Sequence, residues 1–404
     1  MNVLAIIAEY NPMHNGHVFQ INEAKKITNA DFVITCMGGN FTQRGNTSIV
    51  SKFEKTKMAL LNGSDMVIEL PTVYSVSSSE NFAYGAIKIL KELNFVTHIS
   101  FGIEEENIQK LQDIAELLQN EPLGYCKILK EQLDLGVSYP EARAKAVSIY
   151  LNNIEYETIM QGSNNILAIE YLKQMKKQKA NFVPIGIKRN KVSYNSTKII
   201  EDYASSSAIR KFIYNNELLQ IKSVMPKSAY EILINNIKNG TYNIDLNNYS
   251  KIIIYKLRTL SLKQISDLPD VNEGIENLIK SSADKTNNIS ELIKLVKSKR
   301  YTQTRIQRIL IYTLLNITKQ DMKISKKTSP YIRVLGCTKK GQKLLKEIPQ
   351  NRLITSLKKY EQNKLNKNIT RMLEIDKSAT NIYTIPYTGN STANSDYTNR
   401  FIII

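Results

Sequence analysis

Five short apolar runs divide the first half of the chain, at residues 3–7 (VLAII), 31–37 (DFVITCM), 65–70 (DMVIEL), 98–101 (HISF) and 182–187 (FVPIGI). Each gives way to a glycine, a proline or a polar turn, and helix-forming stretches at 17–26, 52–62, 79–93, 108–119 and 166–176 lie between them. Runs this short and this rich in Val and Ile fit strands buried on both faces. Strand alternating with helix predicts an α/β unit with a mostly parallel sheet. Ligands of such sheets bind beyond the carboxyl ends of the strands. The loops at 8–17, 38–45, 71–78, 102–106 and 188–194 are therefore the places to look for chemistry.

The first of those loops holds two of the chain's three histidines, as His14-Asn15-Gly16-His17. The order is strand, tight loop, helix, so the pair sits where unpaired backbone N–H groups and the helix dipole favour an anion. Gly16 lets the backbone approach a ligand closely. Two imidazoles at such a place suit nucleotidyl transfer, where charge grows on the oxygens of an α-phosphate. Zinc is the weaker alternative: Cys36, Cys126 and Cys337 are scattered, and the two histidines lack a nearby third ligand. No metal site is expected.

Three further stretches carry candidate chemistry. Residues 204–210 read Ala-Ser-Ser-Ser-Ala-Ile-Arg. Hydroxyls opening a helix can cap it or hold phosphate, and Ser206, Ser207 and Arg210 are expected to face the histidine loop across a triphosphate. The glycine-rich loop at 38–45 supplies Asn40 and Arg44, which with Lys52 form an expected pocket for a carboxylate. Asn164 and Asn165 open a helix where they would read a base or ribose.

Charge is unevenly spread. Residues 1–250 hold 26 Lys/Arg and 25 Asp/Glu, residues 251–404 hold 29 and 12, and the chain carries +18 overall. A basic part joined to a neutral one suggests a polyanion partner for the first and chemistry in the second. From about residue 216 the apolar spacing becomes that of helices. The expected division is therefore a catalytic domain at 1–215 and a basic, mainly helical, nucleic-acid-binding region at 216–404. Within the latter, Lys299, Arg300, Tyr301, Arg305 and Arg308 are the leading RNA candidates, with Tyr301 placed to stack on an unpaired base. The segment 331–336 is ambiguous, and the Asn/Ser/Thr-rich end, 385–404, is expected to be poorly ordered. No run reaches membrane-spanning length and no signal peptide is visible, so a cytoplasmic enzyme without membrane partners is expected.

These motifs resemble a known family. AEYNPMHNGH, GGNFTQRG, SKFEKTKMALLNGSDMVIELP, FGIE, NNILAIEYLK and SKRYTQTRIQRIL, in this order, are similar to the bacterial tRNA(Met) cytidine acetate ligases, whose H-x-G-H loop is that of the nucleotidyltransferase superfamily. The family often has Phe at Met13, Ser at Gly38 and Pro at Ser163. The resemblance implies a Rossmann-like fold and an ATP-dependent ligase using ATP with Mg²⁺, and elongator tRNA(Met) and acetate as partners. It would make acetyl-adenylate and acetylate N4 of the wobble cytidine. It also implies ATP contacts from Ile7, Ala8, Glu9, Tyr10, Asn11, Pro12, Met13, His14, Asn15, Gly16, His17, Val18, Phe19 and Gln20, and from Gly102, Asn164, Asn165 and Arg189, with His14 and His17 catalytic. The alternative from the residues alone is a small-molecule adenylyltransferase of cofactor biosynthesis.

Overall fold

A computed structural model describes residues 1–188, 202–363 and 366–404. Its centre is an eight-stranded sheet in the order β5-β4-β1-β2-β3-β6-β7, with β8 paired to β6. Strands β1 (Val3–Ala8), β2 (Phe32–Gly38), β3 (Met66–Leu70), β4 (His98–Ile103) and β5 (Val183–Lys188) run parallel, as the alternating pattern requires. Alternate residues of β1 enter different cores: Val3, Ala5 and Ile7 join the apolar cluster on one face, Leu4 and Ile6 that on the other. A strand covered on both sides has no polar face, so its sequence reads as a continuous apolar run.

Strand order reverses beside β1. The chain steps from β1 to β2 to β3 in one direction, then returns to place β4 on the other side of β1. The loops after β1 and β4 diverge there and leave a crevice above the carboxyl ends.

The expected boundary at residue 215 does not bound the sheet. β6 (Ile332–Cys337) adds antiparallel to β3, and β7 (Leu353–Ile354) and β8 (Ile402–Ile403) pair with β6. Between 216 and 331 the chain is helical, including Ser250–Thr259, Ile275–Lys285 and Gln303–Leu315. β6 was hard to read because it contains Arg333, a charge inside a fully buried strand.

The tail departs from expectation for the same reason. Residues 385–404, largely exposed, are tied down at two places: Asp396 accepts from Lys52 Nζ and from Arg333 Nη2, each at 2.8 Å, and β8 pairs with β6. Glu69 closes the cluster, 2.8 Å from Lys52 and 3.2 Å from Arg333. Two buried cations facing two buried carboxylates satisfy each other where any one alone would be costly. Polar composition concealed this anchor. No helix of the described residues is long and apolar enough to cross a membrane.

Candidate active site

The loop after β1 is clamped from below. Lys55, fully buried, donates to the carbonyls of Glu9, Gly38 and Gly39 at 2.7–2.9 Å and to Ser48 Oγ at 3.0 Å. Burial pulls its ammonium down to about 7. Asn11 ties the loop sideways, donating to Thr47 O and accepting from Ile49 N. Sequence reasoning missed Lys55, because a lysine on an amphipathic helix reads as solvated.

The helix Asn15–Thr28 begins at the histidines. His14 is its N-cap; its Nδ1 accepts from Gly16 N at 3.1 Å, and His17 Nδ1 accepts from His14 N at 3.2 Å. Both imidazoles thus act as caps as well as standing at the anion-binding end. A ring nitrogen that accepts carries no hydrogen, so in the neutral rings the proton is on Nε2, and each Nε2 is a donor. The rings stack with centroids 3.8 Å apart. Gly16 leaves room for the His14 ring: a Cβ there would press on His14 Cε1 at 3.0 Å.

A second helix, Ser206–Tyr214, points its N-terminus at the same loop. Arg210 Nη1 donates to Asn11 O at 2.7 Å, Nη2 to Ser207 Oγ at 3.3 Å, and Ser206 Oγ to Pro12 O at 3.4 Å. Ser205 caps this helix by accepting from Ala208 N. These two helix N-termini and the Arg210 guanidinium therefore border one cavity, of about 430 Å³.

The cavity has two flanks. On the β4 side lie Gly102, Ser163 and Asn164, with Asn164 Nδ2 donating to Glu104 Oε1 at 2.6 Å. Asn165, expected beside it, turns away: its Oδ1 accepts from Glu104 N and Glu105 N, and its Nδ2 donates to Ile159 O. A buried amide with three partners holds the loop and is not a ligand contact. On the β2 side lie Thr42, Gln43, Arg44 and Asn46. Glu9 stands at the β1 end of this flank, with Oε1 accepting from Gln43 N at 2.6 Å. Burial raises the Glu9 carboxyl above its usual range, against the pull of the Gln43 bond and of Lys55, Arg44 and Arg210.

Two members of the expected carboxylate pocket lie elsewhere. Lys52 is fully buried in the ion cluster with Glu69 and Asp396, and Asn40 accepts from Lys52 N at 2.7 Å beneath the loop. Only Arg44 of the three lines the cavity. Arg189 lies outside the described residues.

The basic helix also differs from expectation. Gln303, Thr304 and Gln307 line the cavity, while the cations beside them face other residues of the chain. Arg308 pairs with Asp270 at 2.7 Å, and Arg305 donates to Asp270 O and reaches Glu273. Tyr301 is 9 % exposed, donates to Glu273 O, and lies under the Arg305 guanidinium. An aromatic already covered on its face cannot stack a base, so Tyr301, Arg305 and Arg308 build the helix junction. Lys299 and Arg300 remain exposed, Arg300 with Glu273 at 3.5 Å. The neutral Gln and Thr residues at 303, 304 and 307 share one helical face, and that spacing was the overlooked signal.

The family model of the HIGH Nucleotidyl Transferases matches residues 1–398. A tRNA(Met) cytidine acetate ligase of Thermoanaerobacter sp. (strain X514) is 45% identical over 403 residues, covering 100% of both chains. The chain belongs to the tRNA(Met) cytidine acetate ligase family. Its fold matches that of Thermotoga maritima TmcAL in an apo crystal structure, with a TM-score of 0.95, 29% identity and 100% of both chains covered. It also matches TmcAL bound with alpha-thio ATP, with a TM-score of 0.92, 29% identity, and coverage of 100% of this chain and 99% of that one. Membership of the acetate ligases accounts for what a plain nucleotidyltransferase would not need. The helix Gln303–Leu315 forms part of the cavity wall, and Gly45 lies so close to it that a Cβ would meet Arg308 N at 2.4 Å.

Proposed function

We propose that the protein activates acetate with ATP and acetylates N4 of the wobble cytidine of elongator tRNA(Met), forming N4-acetylcytidine. The observation that carries this reading is the meeting of the H-x-G-H turn and the Ser206–Arg210 turn on one cavity, beside Arg44 and a wall from the C-terminal part. The end-to-end match to an acetate ligase supports it.

Acetate is a poor acylating agent until one of its oxygens is esterified by a good leaving group. Its carboxylate attacks the α-phosphorus of ATP, the bond to the α,β-bridging oxygen breaks, and pyrophosphate leaves. His14 and His17 donate through Nε2 to the α-phosphate oxygens as charge grows there. Ser206, Ser207 and Arg210 hold the departing β- and γ-phosphates at a helix N-terminus. Arg44 draws the acetate, and Gly102 and Asn164 hold the nucleoside. Among the described residues the cavity's lining offers one carboxylate, Glu9, so Mg²⁺ would travel on the triphosphate. The exposed cations of the C-terminal part attract the tRNA backbone. A small-molecule adenylyltransferase would share the first step but has no use for the wall formed by Gln303–Leu315.

The test is exchange of labelled pyrophosphate into ATP, with and without acetate, for the wild type and His17→Ala, followed by acetyl transfer to tRNA. Acetate-dependent exchange lost in the variant, with transfer by the wild type, supports the proposal. Exchange that ignores acetate, or none even with tRNA present, overturns it.

A further inference from the structure

The second half-reaction needs a base. The exocyclic amine of cytosine shares its lone pair with the ring and is hardly basic. As its nitrogen attacks the acetyl carbon, the N–H proton becomes strongly acidic and must leave as the C–N bond forms. The cavity's titratable groups can be compared one by one.

His17 does not fit, because its accepting nitrogen already receives His14 N–H at 3.2 Å. The phenols of Tyr10 and Tyr171 are held protonated, Tyr10 pushed up to about 12 by burial and Tyr171 higher still. Arg44 and Arg210 carry no usable lone pair. Glu9 is the one carboxylate among the described lining residues. It occupies the β2 flank with Arg44, away from the Gly102–Asn164 side that the ligase reading gives to the nucleoside. Gln43 N holds one of its oxygens at 2.6 Å, which fixes the carboxyl's orientation.

We propose that Glu9 is the general base of acetyl transfer, a role that rests on the ligase reading above. The amine nitrogen bonds to the acetyl carbon, the bond from that carbon to the AMP phosphate oxygen breaks, AMP leaves with the electron pair, and the amine proton passes to the Glu9 carboxylate. Burial sets the carboxyl's affinity for a proton above that of an exposed glutamate, while Arg44, Arg210 and Lys55 keep the anion available.

Glu9→Gln keeps the oxygen that accepts from Gln43 and removes the base. Acetate-dependent exchange of pyrophosphate into ATP reads whatever Glu9 contributes to the nucleotide, and transfer to tRNA should fall about 10²–10⁴-fold further than exchange does, the usual worth of general base catalysis. The wild-type transfer rate should rise with pH through the raised pKa of Glu9, and this limb should vanish in the variant. Glu9→Asp, which restores a carboxylate, should recover part of the transfer. Loss of exchange together with transfer would put Glu9 in adenylation instead, and a variant that transfers at the wild-type rate would also overturn the proposal. If the wild type itself shows neither acetate-dependent exchange nor transfer, the ligase reading fails, whatever Glu9 does.

Discussion

His14 and His17 stack with ring centroids 3.8 Å apart and cap the same helical turn through their Nδ1 atoms. Each ring therefore has a structural end and a chemical end. The cap fixes the tautomer, and the tautomer makes Nε2 a donor. One arrangement of the two side chains thus fixes both the helix cap and the Nε2 donors that the proposed reaction uses.

They can be separated by substitution. Asparagine is among the best N-caps, so His14→Asn should keep the helix start, with stability lowered by less than about 1 kcal/mol. It lacks the Nε2 donor, so acetate-dependent pyrophosphate exchange should fall by about 10²–10³-fold, the range for losing one preorganised donor. Thermal unfolding and exchange assays on the same preparation check both halves. A variant that exchanges normally would make His14 a cap and nothing more.

The wall residue Gln307 should matter only to the second substrate. Gln307→Leu keeps the side-chain volume but loses the amide. One lost hydrogen bond of about 1 kcal/mol corresponds to roughly a fivefold rise in the KM for tRNA. ATP and acetate kinetics should be unchanged. A change confined to ATP would show that the helix serves the nucleotide instead.

Cations of the basic stretch should divide by burial. Arg308→Ala leaves Asp270 without its partner in a site 9 % exposed at the arginine, and should cost about 3 kcal/mol of stability. Arg300→Ala, at an exposed position, should leave the melting temperature alone, weaken tRNA binding, and reduce its salt dependence by about one counterion. Melting curves and a salt titration of tRNA affinity distinguish the two.

Asp396 should anchor the tail. Its carboxyl is held down to about 2 by Lys52 and Arg333, against the upward push of burial. A carboxylate with a depressed pKa stabilises the fold above its unfolded value near 4, and that contribution is lost as pH falls towards 2. Asp396→Asn should cost about 3–5 kcal/mol at neutral pH by leaving two buried cations to Glu69 alone. Its stability should also depend less on pH in the acid range. Denaturant titrations of both proteins at about pH 7, 4 and 2 measure both effects, the difference in pH dependence appearing between the last two.

Local rules determined much of this protein. The apolar runs, their turns and the intervening helices needed only the two-residue and 3.6-residue repeats, and the H-x-G-H turn needed only its place between a strand and a helix. Ser206, Ser207 and Arg210 were likewise legible, because helix-opening hydroxyls behave alike wherever they occur. The tertiary structure decided which polar residues face inward. Lys52 reads as a cation for a bound carboxylate until Asp396, over 340 residues later, arrives beside it. Arg305 and Arg308 read as RNA contacts until Asp270 and Glu273 claim them. Gln303 and Gln307 read as an ordinary helix surface until Gly45 draws that helix against the cavity. A charge or an amide costs little in water and much when buried, so its role depends on the partner brought to it. Sequence spacing reports neighbours within a turn or two, whereas these partners meet only once the sheet has closed.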